Sequence, residues 1–274
     1  MKSYSGFLSF VKKIVLGCYR KFKRAIKKSI CFIIIYIKYN KKLKALKNIH
    51  KGSRCFIIGN GPSLLMTDLD KLKNEYTFAS NKIFLAFEDT EWRPTYYCVL
   101  DTKLILHEYE SIIKETEASI KFMSGNGFII KKGFLPDWLY FYLKLKRFYP
   151  NKPLFSENIS KVIYEGYTVT YANIQLAVYM GFKEIYLLGV DNTYSLSKYH
   201  DGTITRKEIK NHFSDKYMKN LEFGIQTNLP RLDYTTLAYQ AAKDYTDSHG
   251  IKILNATRGG ELEVFERVDL DSLI

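Results

Sequence analysis

The apolar run 55–58 breaks directly into Gly59, Asn60, Gly61, Pro62 and Ser63. A short apolar run of this kind reads as a buried strand, and two glycines with a proline cannot prolong it. The same punctuation recurs down the chain. Further strands are read at 76–79, 96–100, 120–123, 184–188 and 251–254. Between the later ones lie a helix over 171–180, capped by Thr170 and stopped by Gly181, and another over 234–248, followed by Gly250. This alternation predicts an α/β, Rossmann-like domain, with a mainly parallel sheet and helices on both faces. Two stretches fit it less well, the aromatic-rich residues 134–155 and the polar residues 192–230, and both are read as insertions able to form a lid or an acceptor site.

In open parallel sheets, ligands sit beyond the carboxyl ends of the strands. The residues found there are Gly59 to Ser63, then Ser80 and Asn81, Asp101 and Thr102, Gly189 to Asp191, and Asn255 to Thr257. All five places carry small or hydrogen-bonding side chains after apolar strands, which predicts one nucleotide pocket. In its first turn, Gly59 and Gly61 would let backbone amides approach a phosphate, Pro62 fixes φ, and Ser63 would open a helix whose amino end attracts an anion. The turn is neither a Walker loop nor a complete G-x-G-x-x-G. Asp191 suits a ribose, a sugar hydroxyl or a backbone loop, and the alternatives stay open.

An imidazole titrates near pH 6.5, so a histidine can take a hydroxyl proton at neutral pH. Of five histidines, His212 in the run NHFSDKY has the acceptor and aromatic neighbours that orient a ring. Tyr194 and Tyr199 follow Asp191, where phenols can hydrogen-bond a departing phosphate without a metal. Asp68 with Asp70, and Asp269 with Asp271, match the D-x-D pattern that holds a divalent ion in many nucleotide-sugar enzymes. Neither pair follows a strand, so Asp68 and Asp70 are read as opening a short helix and no metal site is assigned.

The formal charge of +14 suggests nucleic acid until its distribution is inspected. Residues 1–52 hold 15 Lys and Arg and no Asp or Glu, leaving 27 basic and 28 acidic residues in the rest. Positive charge is therefore a property of this arm and not of the nucleotide-binding domain at 53–274, and no nucleic-acid partner is expected. Phe7, Val11, Val15, Cys18, Phe22, Ile26, Ile30, Ile34 and Ile37 recur at three- and four-residue steps, which makes the arm an amphipathic helix. Its uninterrupted apolar core, 30–37, is far short of the ~20 residues a bilayer span needs. Residues 1–50 are expected to lie on an anionic membrane surface, each basic side chain adding about 1 kcal/mol there. No small-residue cleavage site follows, as a signal peptide would require. Four scattered cysteines without paired spacing point to a reduced, cytoplasmic protein, peripheral on the inner face of the cell membrane.

The runs FIIGNGPSL at 56–64, FASNKI at 78–83 and MGFKEIYLLGVD at 180–191 resemble bacterial CMP-sialic-acid-dependent sialyltransferases that act on lipooligosaccharide. They also resemble a broader group that includes motility-associated flagellin glycosylation proteins and archaeal 6-hydroxymethylpterin pyrophosphokinase. The first resemblance implies a metal-independent, inverting transfer from a CMP-sugar to a glycan or lipid-linked glycan in surface polysaccharide or lipopolysaccharide biosynthesis, with no cofactor beyond the donor. It further implies donor contacts at Gly59, Asn60, Gly61, Pro62, Ser63, Asn81 and Asp191, phosphate contacts from Tyr194 and Tyr199, and His212 as base. Asp101 stands where those enzymes carry an asparagine. Thr168 and Thr170 stand near their Thr-Ser-Gly turn, although the preceding arginine is missing. Asn255 and Thr257 complete the expected donor site. The broader group implies an alternative, an ATP-dependent diphosphokinase. A non-catalytic scaffold recruited to a membrane through the arm is the third reading.

Overall fold

The computed structural model describes residues 2–125, 129, 133–218 and 229–274. Of the expected insertion 192–230, residues 219–228 lie outside the described residues.

The short apolar runs form strands because they are buried on both faces of one sheet. In chain order the strands are β1 (Arg54–Ile58), β2 (Thr77–Ser80), β3 (Tyr96–Val99), β4 (Ile120–Ser124) and β5 (Trp138–Phe141), the short β6 (Leu143–Lys144) and β7 (Ile163–Tyr164), then β8 (Glu184–Leu188). They are followed by β9 (Leu196–Lys198), β10 (Ile204–Arg206), β11 (Lys252–Asn255) and β12 (Glu266–Arg267). Eight of them make one sheet in the order β12-β11-β8-β1-β2-β3-β4-β5, with every pairing parallel. The chain thus starts at the centre, builds outward through β5, and returns to the other side of β1 with β8. That reversal falls between β1 and β8, at the carboxyl ends where a Rossmann-like sheet holds its ligand.

Helix α1 (Lys2–Ala45) comes first, followed by α2 (Met66–Lys71), α3 (Thr102–His107), α4 (Tyr109–Glu115), α5 (Val169–Met180) and α6 (Leu232–Ser248). α5 is mostly apolar and almost wholly buried, as a helix packed between sheet and neighbouring helix must be, and its buried Gln175 bonds the backbone of Ser156 and Tyr164. It begins two residues before the expected Tyr171, because the Thr168 hydroxyl, not that of Thr170, caps it by accepting the Thr170 amide at 3.3 Å. Gly181, at φ +95°, ends it as expected. Residues 134–155 are not wholly an insertion: they supply β5, which extends the main sheet beside β4.

The last turns of α1 join this core. Cys31, Ile35, Tyr39 and Leu43, each four residues on, are buried. Tyr39 packs on Tyr140 at 5.3 Å and Phe134 at 5.5 Å, and Phe32 meets Tyr142 at 5.1 Å. The chain that follows is tied to the end of α5, since the amides of Asn48, His50 and Gly52 donate to the carbonyls of Tyr179, Met180 and Gly181. Leu43→Ala should therefore cost about 2–5 kcal/mol in chemical denaturation, whereas Val15→Ala, at a side chain that is 60% exposed, should stay within about 0.5 kcal/mol.

Candidate active site

Two loops meet where the sheet reverses direction. The Gly59 amide donates to the Leu188 carbonyl at 2.7 Å, and the Gly61 amide to the Gly189 carbonyl at 2.9 Å. A Cβ on Gly59 would overlap the Gly189 carbonyl, and one on Gly61 would overlap the Asp191 carboxylate. Ser63 does not start a helix: α2 begins at Met66, and the Ser63 hydroxyl donates to Asp191 Oδ2 at 2.7 Å. The Ser63 amide also bonds the Asp191 carboxylate. The expected amide cradle is therefore corrected at these residues. The glycines allow two strand-end loops to touch, and the anion held by the turn is the protein's own Asp191. Burial raises the Asp191 carboxyl above the usual carboxylate range, against the lowering effect of Ser63.

Asn60 carries the open side of the turn. Its carbonyl accepts the Phe213 amide at 3.1 Å and faces His212 Nδ1 at 3.3 Å, which brings the insertion down onto β1. Its Nδ2 donates to the Ser80 carbonyl at 3.0 Å, while its buried Oδ1 has no hydrogen-bond partner. A carbonyl can only accept, so Nδ1 of His212 bears the proton and Nε2 presents a lone pair. The imidazole lies flat on Tyr217, with ring centres 3.7 Å apart. Burial pushes the pKa of His212 down to about 4, and the charge of Lys82 acts in the same direction. Lys82 is itself buried in an ion pair with Glu108 at 2.7 Å.

Asn81, at φ +54°, stands beside this group. Its carbonyl accepts the Tyr97 hydroxyl at 2.6 Å, and its side chain bonds Tyr217. Tyr194, whose phenol is raised by burial, has Asp191, Tyr217 and Tyr239 as its electrostatic neighbours. Asn60, Asn81, Asp191, Tyr194 and His212 are thus brought together, with Tyr217 between them. Half-buried Pro62 stands at the mouth of the turn.

The other expected donor contacts have partners within the fold. Asp101 caps α3, accepting the Lys103 amide at 2.7 Å. The hydroxyls of Thr168 and Thr170 bond Tyr239. Asn255 donates to the Leu262 carbonyl at 2.8 Å, and Thr257 accepts the Val190 amide at 3.1 Å. Tyr199 lies at the tip of the β9–β10 hairpin, its amide donating to the Thr203 carbonyl at 2.9 Å.

Arg258 explains the acidic pairs. Its guanidinium grips buried Asp68 through two bonds of 2.8 and 2.9 Å and reaches Asp271 at 3.0 Å. Asp70 accepts the Thr90 hydroxyl at 2.7 Å, and Asp269 caps the turn at Leu270–Ser272. The two D-x-D segments are joined through an arginine. Among the described residues, no three His, Cys, Asp or Glu side chains gather as a metal site.

Sequence reasoning missed Tyr217, Lys82, Arg258 and Arg267. Arg267 reaches back to the carbonyls of Thr257, Gly259 and Gly260 at 3.0–3.3 Å, fixing the loop that abuts Asp191. Only Tyr217 carried a signal, as an aromatic close behind His212. Because Gly61 has the Asp191 carboxylate where its Cβ would go, Gly61→Ala should lower stability by about 1–3 kcal/mol in urea denaturation, even with no nucleotide present.

No curated protein sequence matches the chain. Among solved structures it is similar to the sialyltransferase CstII from Campylobacter jejuni in complex with the substrate analogue cytidine-5'-monophosphate, at 17% identity over 80% of this chain and 85% of that one, with a TM-score of 0.48. A second structure of the same enzyme, in complex with CMP-3FNeuAc, is similar at 14% identity over 79% and 85%, with a TM-score of 0.45. Residues 33–196, from the docked turns of α1 through β8 to the first residue of β9, match the 6-hydroxymethylpterin diphosphokinase MptE-like family. The match takes in more than half of the sequence, and the chain belongs to this MptE-like family.

Proposed function

We propose that this family member is a glycosyltransferase that moves a sugar, sialic acid or a related one, from a CMP-sugar to a glycan or lipid-linked glycan hydroxyl, with inversion and no required divalent cation. The observation that carries the reading is His212, an imidazole held neutral, with Nδ1–H turned to the Asn60 carbonyl and Nε2 left as a base at the reversal point of the sheet. In the proposed step, Nε2 takes the acceptor hydroxyl proton as that oxygen bonds to the anomeric carbon. The bond from that carbon to the phosphate oxygen breaks, and its electron pair leaves with CMP. Tyr194 would donate to that phosphate and Asn60 Oδ1 would accept from the donor, while Tyr199 would reach it from the hairpin.

Charge favours a donor with a single phosphodiester. The cations around the loops are already engaged: Lys82 with Glu108, Arg258 with Asp68 and Asp271, and Arg267 with Glu263 and three carbonyls. A nucleoside triphosphate would bring several more negative charges to the same place. The family description favours a second reading, an ATP-dependent diphosphokinase. A thermal shift with CMP in EDTA that exceeds the shift with ATP and magnesium supports transfer from a CMP-sugar, and the reverse order supports the kinase.

His212→Ala should retain CMP binding and lose turnover of a CMP-sugar by about 100-fold or more. With a pKa near 4, the base stays deprotonated well below neutrality. The acid limb of kcat/KM should therefore fall below pH 5, and a limb centred near an ordinary imidazole's 6.5 would contradict the assignment.

A further inference from the structure

α1 has two apolar faces. Cys31, Ile35, Tyr39 and Leu43 form the face buried against the domain. Tyr19, Phe22, Ile26, Ile30, Ile33 and Ile37 recur at steps of three and four and are 42–77% exposed. At about 100° per residue they point to the opposite side of the helix. Exposed Lys12, Arg20, Lys23, Lys27 and Lys41 flank them, and residues 1–52 contain no acidic side chain.

The docked turns set the direction of the helix. Tyr39 meets Tyr140 within β5, Phe32 meets Tyr142 just past its carboxyl end, and Ile35 lies against Gly125, which follows β4. α1 therefore runs antiparallel to β5. The turns before Phe32 continue past the carboxyl edge of the sheet, the edge that holds Asn60, Asp191 and His212. At about 1.5 Å per residue, the stretch from Lys12 to Phe32 extends roughly 30 Å in that direction.

An exposed stripe at these steps would also suit a coiled coil with a second copy. Pairing two copies sets their flanking residues against each other, and here the charged flank is basic with no acidic side chain in residues 1–52 to meet it, which opposes pairing. The charge calls for an anionic occupant, and the apolar stripe calls for one that takes up side chains along its whole length. We infer that this face of α1 lies in an anionic lipid surface, with the isoleucines and Phe22 at the acyl boundary and the lysines and arginines among the headgroups. Among the described residues, no helix is long and apolar enough to cross a membrane, so α1 lies on the surface and does not span it. Docked on β5, it runs along the lipid with its exposed stripe toward the membrane and the domain held on its other side. Docking itself does not depend on the glycosyl-transfer reading; only the lipid-linked nature of the acceptor rests on it.

The test is flotation of the full chain, without nucleotide, on phosphatidylcholine vesicles with and without phosphatidylglycerol. The chain should float with the anionic vesicles and bind neutral ones, or anionic ones in high salt, at least about tenfold more weakly. Ile26→Asp combined with Ile33→Asp should abolish flotation while leaving the thermal midpoint unchanged, since both side chains are exposed. Cys18 is the one exposed cysteine, so an environment-sensitive probe on it should shift to the blue on the anionic vesicles alone. Equal binding to neutral vesicles, flotation that survives the double substitution, or a stable dimer with no flotation would each overturn the inference. Flotation without turnover of a CMP-sugar would count against the transfer reading and leave the docking intact.

Discussion

The contact between the β1 and β8 loops is the constraint on which the rest of the site depends. Two backbone bonds, from Gly59 to Leu188 and from Gly61 to Gly189, draw the loops together, and Ser63 closes the contact on the Asp191 carboxylate. No side chain fits at positions 59 or 61, because the opposite loop occupies that space. Asp191 in turn supports the next loop outward: its carbonyl accepts the Glu261 amide at 2.7 Å, and Gly260 lies against its backbone. Arg267 gathers the carbonyls of that loop. A buried carboxylate without partners would carry a large desolvation cost, so the Ser63 bonds and the charge of Arg267 are what let Asp191 serve as the joint of three loops.

On the open side of the same turn, Asn60 does separate work. Its carbonyl receives both His212 and Phe213, and its amide group reaches Ser80 at the end of β2. One residue therefore links the central strand, its neighbour and the inserted segment. The turn divides its functions by position. The glycines and Ser63 face β8 and hold the fold, whereas Asn60 faces the insertion and positions His212.

The sheet was legible because buried parallel strands are short, apolar and punctuated, and each predicted strand lies within a residue or so of its observed place. β5 was not legible: Trp138 to Phe141 is embedded in an aromatic stretch without the punctuation of the other strands, and its pairing with β4 is a tertiary contact. In the site, residue types were readable and their partners were not. A glycine required by a neighbouring loop looks the same in sequence as one that cradles phosphate, and an aspartate pair held by Arg258 looks the same as a metal motif. Those distinctions rest on contacts between positions as distant as 68 and 258. His212 was readable as a candidate and Tyr217, which stacks on its ring, lies in the same run, but the burial that holds the imidazole neutral, and Lys82, which adds to it from a distant segment, are tertiary.

The depressed pKa of His212 has a consequence for the order of events in the proposed transfer. An imidazole near 4 is neutral at any physiological pH, yet it is a weak base and cannot strip a proton from a free hydroxyl. Proton transfer must then follow the forming bond: once the acceptor oxygen shares electrons with the anomeric carbon, its proton becomes acidic enough for Nε2 to take. The bound donor acts in the same sense. Its phosphodiester carries a negative charge that opposes both burial and Lys82, the two influences that lower the pKa in the free protein. In the proposed transfer, donor binding would therefore strengthen the base, and the phosphate that leaves would also be the group that prepares His212 to accept the proton.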